Sequence, residues 1–320
     1  MKAIVYTHYG APESLTQQEV PTPVPKAHEV LIQVEAASVN SWDWDLVTGR
    51  PRIYRLMFGL FKPRYPIIGS DIAGRVEAAG KEVTQFRPGD EVFGDISGSG
   101  FGAFAEYACA PAQVLARKVP TMTFEQAAAT PQAGVLALQG LRQGQLAAGK
   151  KVLINGAGGG VGTFAVQMAK VAGAEVTGVD RADKLDLLRS LGADHVIDYR
   201  EQDFTKTGQT YDLILDMVTR HSVADCRRAL KPGGRYVLIG GSIMTLLQAA
   251  TLGSWSKPEG KQIGLLMHKP NPKDLHELNL LFEAGSVVPV IDKTYPLHEV
   301  SEAVRYLGEG NARGKVVITI

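Results

Sequence analysis

The chain has 320 residues, of which 45% are hydrophobic and 21% charged, and its 34 basic and 33 acidic side chains leave a net charge of +1. This composition is typical of folded domains with ordinary cores, and the length suits two domains rather than one. The even charge, the lack of a nucleic-acid motif and the lack of a long apolar run exclude the nucleic-acid-binding and transmembrane classes and give no reason to expect an anionic membrane as partner.

Cysteine usage and the first residues of the chain bear on its compartment. Cys109 and Cys226 are two cysteines in all, too few for a disulfide framework or a four-cysteine zinc site. The sequence turns polar after Tyr6, without the apolar core of a signal peptide. We therefore expect a soluble protein of the reducing cytoplasm.

The first 120 or so residues are predicted to be mainly β. Strand alternation at 2–6 and 29–35 flanks a loop with three prolines, and residues 36–48 read as a strand end that leads into a short helix. The apolar run 54–61 is interpreted as a lid or wall of a pocket. Short β-branched runs punctuated by glycine, typical of a small barrel with tight corners, follow at 66–77, 86–93, 103–108 and 114–118.

The pattern then changes to alternating strands and helices. Thr123 is a candidate N-cap with Gln126 completing a capping box, and from Lys150 onward short connections predict a parallel doubly wound sheet. The predicted strands are 152–155, 175–180, 195–197, 213–216, 236–239 and 262–267, and the predicted helices are 161–172, 184–191, 223–230 and 244–252.

The C-terminal tail loses this rhythm. A helix at 273–283, a strand at 287–292, a helix at 300–306 and a strand at 315–320 are predicted there. We therefore assign residues 1–123 and 269–320 to a β domain and residues 124–268 to a dinucleotide-binding domain.

A glycine cluster after the strand at 152–155 is the strongest local motif. In Gly156-Ala-Gly-Gly-Gly-Val-Gly162, glycines leave backbone N–H groups at a helix N-terminus open to a pyrophosphate. The predicted contacts are Gly156, Gly159, Gly160, Val161 and Gly162. Asp180 ends the next strand, 18 positions beyond Gly162, as the dinucleotide motif requires, and no Gly-Lys-Ser/Thr follows, which excludes a P-loop. A glycine turn without a ligand is the disfavoured alternative.

Together with motifs elsewhere in the chain, this cluster indicates a known family. The chain resembles the zinc-independent, quinone-oxidoreductase-like branch of the medium-chain dehydrogenase/reductase superfamily over essentially its whole length. The supporting motifs, besides the glycine cluster, are Ala37-Ser-Val-Asn40, Pro66-Ile-Ile-Gly-Ser-Asp-Ile-Ala-Gly74, Phe86-Arg-Pro-Gly-Asp-Glu-Val92, Gly102-Ala-Phe-Ala-Glu-Tyr107, Ala128-Ala-Thr-Pro-Gln-Ala-Gly134, Leu191-Gly-Ala-Asp-His-Val-Ile-Asp198, Leu230-Lys-Pro-Gly-Gly-Arg235 and Gly314-Lys-Val-Val317.

The resemblance implies an α/β fold in which a GroES-like β-barrel catalytic domain carries a Rossmann doubly wound parallel-sheet domain, with NADP(H) or NAD(H) in the cleft between them and a homodimeric assembly. It also implies that no zinc is bound. Where zinc-dependent relatives place cysteine, histidine and a further cysteine or acid, this chain has Asn40, the stretch 69–71 and Gln132, so that Asp71 alone is a strong ligand.

Without a metal ion to act as a Lewis acid, the implied reaction is hydride transfer from the cofactor to an electron-poor small molecule, a quinone or an enone. Two alternatives stay open. One is an enoyl or alkenal double-bond reductase of the same superfamily, and the other is a nucleotide-binding structural or regulatory protein without turnover.

Individual residues carry this expectation. Asn40 is expected to make a polar contact near the nicotinamide ribose or the substrate carbonyl, with a helix cap as the alternative. Tyr54 is a candidate proton donor, equally matched by water, because Asp45 and Pro51 stand where some relatives have a tyrosine.

The cofactor's 2′ position is ambiguous. Asp180 favours NAD, whereas Arg181 and Lys184 can bind the 2′-phosphate of NADP, and we favour NADP. Lys184 is equally well explained as a solvated lysine at a helix start. Further cofactor contacts are expected from Thr130, Tyr199, Ile239, Gly240, Arg313 and Lys315, although Ile239 and Gly240 can also form a plain strand-end turn and the charges at 313–315 can simply be solvated.

Overall fold

The computed structural model describes residues 1–240 and 258–320. Its strands are β1 (Lys2–Val5), β2 (Thr16–Glu19), β3 (Glu29–Val39), β4 (Asp71–Ala79), β5 (Glu91–Asp95), β6 (Tyr107–Pro111), β7 (Leu115–Arg117), β8 (Lys151–Asn155), β9 (Glu175–Asp180), β10 (His195–Asp198), β11 (Tyr211–Asp216), β12 (Leu230–Leu238), β13 (Gln262–Leu265), β14 (Ile291–Pro296) and β15 (Lys315–Thr319). Its α-helices, in the same ranges, are α1 (Ser41–Thr48), α2 (Tyr54–Phe58), α3 (Phe124–Ala128), α4 (Pro131–Gln143), α5 (Gly160–Val171), α6 (Leu185–Ser190), α7 (Val223–Arg228), α8 (Pro272–Glu283) and α9 (Val300–Gly308).

The chain divides into two compact units. The first comprises Met1–Gln132, Pro270–Ala284 and Ile291–Ile320, and the second comprises Ala133–Lys269 and Gly285–Val290. Helix α3, which we expected to open the second domain, falls in the first unit because it packs on β3 and β4. Its predicted N-cap is confirmed, since Thr123 Oγ1 accepts a hydrogen bond from Gln126 N.

The first unit is built around β3, the longest strand. β3 pairs antiparallel with β4 on one side, and with β15 and β6 along different parts of the other, in a sheet of order β14-β15-β3-β4-β5-β7. Fully buried aliphatic and aromatic side chains, among them Ile32, Ile72 and Phe104, fill its core. The pairing of Val316 with Val39 brings the last strand of the chain beside the end of β3, where Asn40 follows.

Two predicted strands of this unit are displaced. The strand predicted at 103–108 begins only at Tyr107, and the one predicted at 287–292 is wrong, since β14 runs over Ile291–Pro296 beside β15. Pro289 has no N–H for a ladder, and Val288 N donates instead to Gln167 Oε1 at 2.9 Å in the second unit.

The second unit confirms the predicted doubly wound sheet. In the described part of this unit, six parallel strands lie in the order β10-β9-β8-β11-β12-β13. Successive strands are therefore added towards one edge of the sheet up to β10 and towards the other edge from β11 onward, with the switch point between β8 and β11. Ligands of such sheets bind at the carboxyl ends of the strands beside this switch point. The helix predicted at 244–252 lies outside the described residues. Within the described ranges, no helix has both the length and the apolar character needed to cross a bilayer.

Candidate functional site

The glycine cluster forms the turn between β8 and α5, at the switch point of the second unit. Gly156 has φ +85°, in the left-handed region that favours glycine, and Gly159 is the N-cap of α5. A Cβ at Gly162 would lie 2.3 Å from Gly156 O and 2.5 Å from Ala157 Cα, so that the turn and helix approach each other only because residue 162 is glycine. Gly160 and Val161 form the first turn of α5, as predicted.

Gly159 is glycine for a different reason. Its φ is −89°, and a Cβ there would meet only Gly156 O, at the ordinary contact distance of 3.5 Å. The fold therefore has room for a side chain at residue 159, at the N-terminus of a twelve-residue helix, yet the sequence has glycine there. An open N-terminus of this kind fits the diphosphate of a dinucleotide.

Asp180 stabilises this turn from the end of β9. Its Oδ2 accepts a hydrogen bond from Gly158 N at 2.7 Å and its Oδ1 accepts one from Arg181 N at 2.9 Å. The carboxylate is buried, and both of its oxygens are bonded inside the fold. Asp180 therefore stabilises the glycine turn directly, a role that the sequence did not indicate.

Basic residues surround this carboxylate. Lys184 is buried with its Nζ 3.9 Å from Asp180 Oδ1, so the interpretation as a solvated lysine is wrong. Arg181 Nε lies 3.2 Å from Asp183 Oδ1. Tyr199 N donates to Asp180 O at 3.2 Å, and the guanidinium of the exposed Arg220 lies 5.4 Å from the centre of the Tyr199 ring.

Arg220 was missed by the sequence reasoning. It follows β11, whereas Tyr199 follows β10, and only the parallel sheet brings the two strand ends to one edge.

The first unit holds a second candidate site, a buried polar cluster around Lys315. This side chain, at the start of β15, is 2% exposed, so its position is not on a solvated turn. Its Nζ donates to Asn40 Oδ1 at 2.6 Å and to Val39 O at 3.3 Å, and lies 3.6 Å from Asp71 Oδ2. Asn40 Nδ2 in turn donates to Asp71 Oδ2 at 2.9 Å and to Ser70 Oγ at 3.3 Å. The amide of Asn40 is thus bonded at both ends within the protein.

Two buried carboxyls balance this ammonium. Burial raises the pKa of Asp71 to about 6, against the opposing effect of Lys315, and burial lowers the pKa of Lys315, against the opposing effect of Asp71. Burial also raises the pKa of Asp43 to about 7, although the carboxyl accepts hydrogen bonds from Asn40 N at 2.8 Å and Gly69 N at 3.0 Å. Asp43 stands three residues after Asn40, a capping-box spacing that the sequence reasoning overlooked.

Gln132 completes the cluster. Its backbone N donates to Asp71 Oδ1 at 3.1 Å, while its side-chain Nε2 is buried and has no hydrogen-bond partner in the described structure. The side chain is 4% exposed. An unsatisfied buried donor costs free energy, about 1–3 kcal/mol, unless a ligand or water accepts from it.

The remaining predicted residues make their own local contacts. The Thr130 hydroxyl donates to Gln126 O at 2.8 Å, and Arg313 is exposed, with its backbone N bonded to Asp292 Oδ2. Tyr54 begins α2 and stacks edge-on against Phe58, and burial raises the pKa of its phenol. Ile239 N donates to Asp216 O at the end of β12, and Gly240 follows with φ +76°.

Metal-ligand chemistry is sparse in the described part of the chain. No group of three or more histidine, cysteine, aspartate and glutamate side chains in residues 1–240 and 258–320 could hold a metal ion. The donors near Lys315 are amides, hydroxyls and carboxyls arranged around an ammonium.

Comparison with known proteins agrees with this architecture. Residues 26–121 match the family described as "Alcohol dehydrogenase GroES-like domain", and residues 191–318 match the one described as "Zinc-binding dehydrogenase". The chain is 35% identical to a 2-methylene-furan-3-one reductase of Solanum lycopersicum, over 99% of this chain and 79% of that protein.

A second relative and a solved structure extend the likeness. The chain is 33% identical to a chloroplastic NADPH-dependent alkenal/one oxidoreductase of Arabidopsis thaliana, over 99% of this chain and 79% of that protein. The chain superposes on the structure of the quinone oxidoreductase from Coxiella burnetii with a TM-score of 0.89 and 29% sequence identity. The superposition covers 100% of this chain and 99% of that one.

The chain belongs to the quinone-oxidoreductase-like branch of the medium-chain dehydrogenase/reductase superfamily. The resemblance inferred from the sequence motifs is therefore confirmed, and so is the expected fold, a GroES-like domain with a Rossmann-type parallel-sheet domain.

The glycine turn of this medium-chain reductase allows a direct test of its role. Gly159→Ala is expected to lower the unfolding temperature only slightly, because the methyl group meets no close neighbour and alanine is merely a poorer N-cap than glycine. It should weaken NAD(P)H binding by about tenfold or more by covering the helix N-terminus. Calorimetric titration and thermal unfolding measure the two effects. Gly162→Ala is the control, since its methyl must clash with the turn and lower stability. Unchanged NADPH affinity of Gly159→Ala would contradict the assignment.

Asp43 gives a prediction for the pH dependence of stability. The pKa of Asp43 rises from 3.8 in the unfolded chain to about 7 in the fold. Its contribution to the free energy of unfolding is therefore full below pH 3.8 and is lost as the pH rises through about 7. Asp43→Asn lacks this titration. Denaturant unfolding should therefore show the wild type losing about 1–3 kcal/mol relative to Asp43→Asn between about pH 5 and about pH 8. Parallel pH profiles for the two proteins over this range would show that the carboxyl is already ionised in the fold.

Proposed function

We propose that this protein is an NADPH-dependent reductase of quinones and enones that works without zinc. The observation that carries the proposal is the Lys315 ammonium, bonded to Asn40 and facing Asp71 at the positions where the resemblance places the metal ligands of zinc-dependent relatives. A buried positive charge repels a divalent cation, and Asp71 is the only strong ligand among the matched positions Asn40, 69–71 and Gln132. The names of the two relatives and of the solved structure support an electron-poor acceptor.

The second unit supports the dinucleotide. The N–H groups of Gly160, Val161 and Gly162, in the first turn of α5, would hold the diphosphate. Gly156 and Gly159 would let the diphosphate approach the backbone closely, since their own N–H groups already donate to Val179 O and Gly156 O. Ile239 and Gly240, at the carboxyl end of β12, are further proposed contacts, as are Thr130 and Arg313.

The charges beside Asp180 support NADPH over NADH. Asp180 already accepts two backbone hydrogen bonds, so its carboxylate is less available to a ribose hydroxyl. Arg181, Lys184 and Arg220 outnumber the acids Asp180 and Asp183 at this edge, which suits a 2′-phosphate, and Tyr199 offers an aromatic face beside them.

When bound, NADPH supplies a hydride, and one proton completes the two-electron reduction of the quinone or enone. Gln132 is proposed to bind the acceptor's carbonyl oxygen, because its Nε2 is the unused donor of the Lys315 cluster. Asn40 is then a positioning residue, since both ends of its amide are bonded within the protein. Tyr54 is kept as the candidate proton donor, with water as the alternative, although burial raises the pKa of its phenol and so makes it a weaker acid.

Compartment and assembly are proposed from the resemblance and the cysteines. Cys109 and Cys226 are both free thiols, which suits a reducing compartment, and we propose the cytoplasm. The Arabidopsis relative is named as chloroplastic, so compartments differ within the family. A homodimer is proposed on the resemblance alone.

Cofactor preference is expected to depend on Arg181. We expect NADPH to bind more tightly than NADH, and Arg181→Ala to reduce that difference by about fivefold or more because a phosphate partner is lost. Fluorescence titration of each variant with both dinucleotides gives the four dissociation constants. Arg189→Ala, an exposed arginine paired with Asp186, is the matched control and should change nothing. Tighter binding of NADH by the wild type would show that Asp180 controls the choice.

The acceptor and the role of Gln132 are tested together. We expect NADPH oxidation with a small quinone, with an alkenal or with both, and a decrease in kcat/KM of about tenfold to a hundredfold in Gln132→Leu with unchanged NADPH affinity. Gln209→Leu, at an exposed position, is the control. A higher rate with the alkenal favours the double-bond reductase. Tight NADPH binding without oxidation by any quinone, enone or aldehyde would favour a non-catalytic protein.

A further inference from the structure

Residues 50–64, hereafter the basic apolar segment, form an exposed patch on the first unit. Five of the eleven large apolar side chains that are exposed among the described residues lie between positions 53 and 61. Phe61 is 90% exposed, Leu56 71% and Met57 67%, and Ile53 and Leu60 are about half exposed. Adjoining exposed apolar side chains usually mark a contact surface, whereas single ones do not.

The segment is held firmly at its base. Phe58 packs edge-on against Phe101, with ring centres 6.1 Å apart. Tyr9 Oη donates to Gly59 O at 2.5 Å, and Arg55 lies over the Tyr9 ring while its Nε donates to Gly49 O at 3.1 Å. The exposed side chains therefore project from a fixed base, and their exposure is not that of a loose end.

The charge of the segment has one sign. It contains five basic residues and no acidic one, and since the whole chain has a net charge of +1, the remaining residues together have −4. Arg55 is used at the base, whereas Arg50, Arg52, Lys62 and Arg64 are exposed. The net charge of the whole chain gave no reason to expect an anionic membrane as partner. That average conceals the local excess of basic residues in this segment.

We propose that the basic apolar segment docks this protein on the surface of a bilayer that contains anionic phospholipid. Leu56, Met57, Leu60 and Phe61 would enter the boundary between headgroups and acyl chains, while the exposed arginines and lysine contact lipid phosphates. Exposed apolar side chains flanked by cations are the composition that binds such interfaces, and each basic residue near an anionic surface strengthens the attraction.

Other occupants fit less well. In a symmetric pair of copies, the segment would face itself across the two-fold axis, and four exposed cations would meet four others. A helical or strand-like protein ligand needs a groove or a sheet edge, whereas a Phe61 that is 90% exposed stands out from the surface.

Sedimentation with lipid vesicles tests the proposal on the 320-residue chain. The wild type should sediment with vesicles of phosphatidylcholine and phosphatidylglycerol, much less with phosphatidylcholine alone, and less at high salt. The double variants Leu56→Ser/Phe61→Ser and Arg52→Gln/Lys62→Gln should each lower the partition coefficient by about tenfold or more. Val24→Ser, at a position 85% exposed outside the segment, should bind as the wild type does.

Several results would overturn the proposal. Equal sedimentation with neutral and anionic vesicles, or no sedimentation, excludes an anionic bilayer. Unchanged vesicle binding by Leu56→Ser/Phe61→Ser, together with a raised KM for an apolar acceptor without lipid, would show a wall of the substrate pocket instead. Loss of a wild-type dimer in that variant, again with unchanged vesicle binding, would show an interface between copies. All replaced side chains are exposed, so thermal unfolding should confirm that each variant is folded.

Discussion

The buried ammonium of Lys315 is the constraint on which the first unit depends. An ammonium removed from water needs oxygen partners and a carboxylate, and Lys315 obtains them from Val39, Asn40 and Asp71. These partners come from the end of β3 and the start of β4, so that the interaction joins β15 to both of these strands. The cluster takes up the Asn40 amide and leaves Gln132 Nε2 as its unused donor.

A carboxylate has the corresponding place in the second unit. Asp180 bonds the N–H groups of Gly158 and Arg181, and Lys184 lies against both Gly158 and Asp180, since a Cβ at Gly158 would be 2.7 Å from Lys184 Cδ. One acid therefore connects the glycine turn to the end of β9. Lys315 in the first unit and Asp180 in the second were both expected to contact the cofactor. Each makes hydrogen bonds to the backbone of its own unit.

Local features of the sequence predicted the structure well. The glycine turn, the Thr123 capping box and the six parallel strands were predicted because each depends on residues close together in the chain. The bonds of Lys315 could not be predicted, because β15 reaches Asn40 only through pairing with a strand near the other end of the sequence. Arg220 was missed for the same reason. The strand at 287–292 was predicted wrongly because its apolar pattern does not reveal which unit these residues join.

Transfer of deuterium from NADPH labelled at the nicotinamide 4-position tests the central claim most directly. Chelator-treated protein, checked by metal analysis, would be mixed with labelled NADPH and an alkenal, and the product analysed by mass spectrometry. If Lys315 takes the place of a metal, the metal-free protein should deliver deuterium to the β-carbon at the rate of untreated protein, and added zinc should not raise that rate. Loss of transfer on chelation, with recovery on adding zinc, would contradict the account.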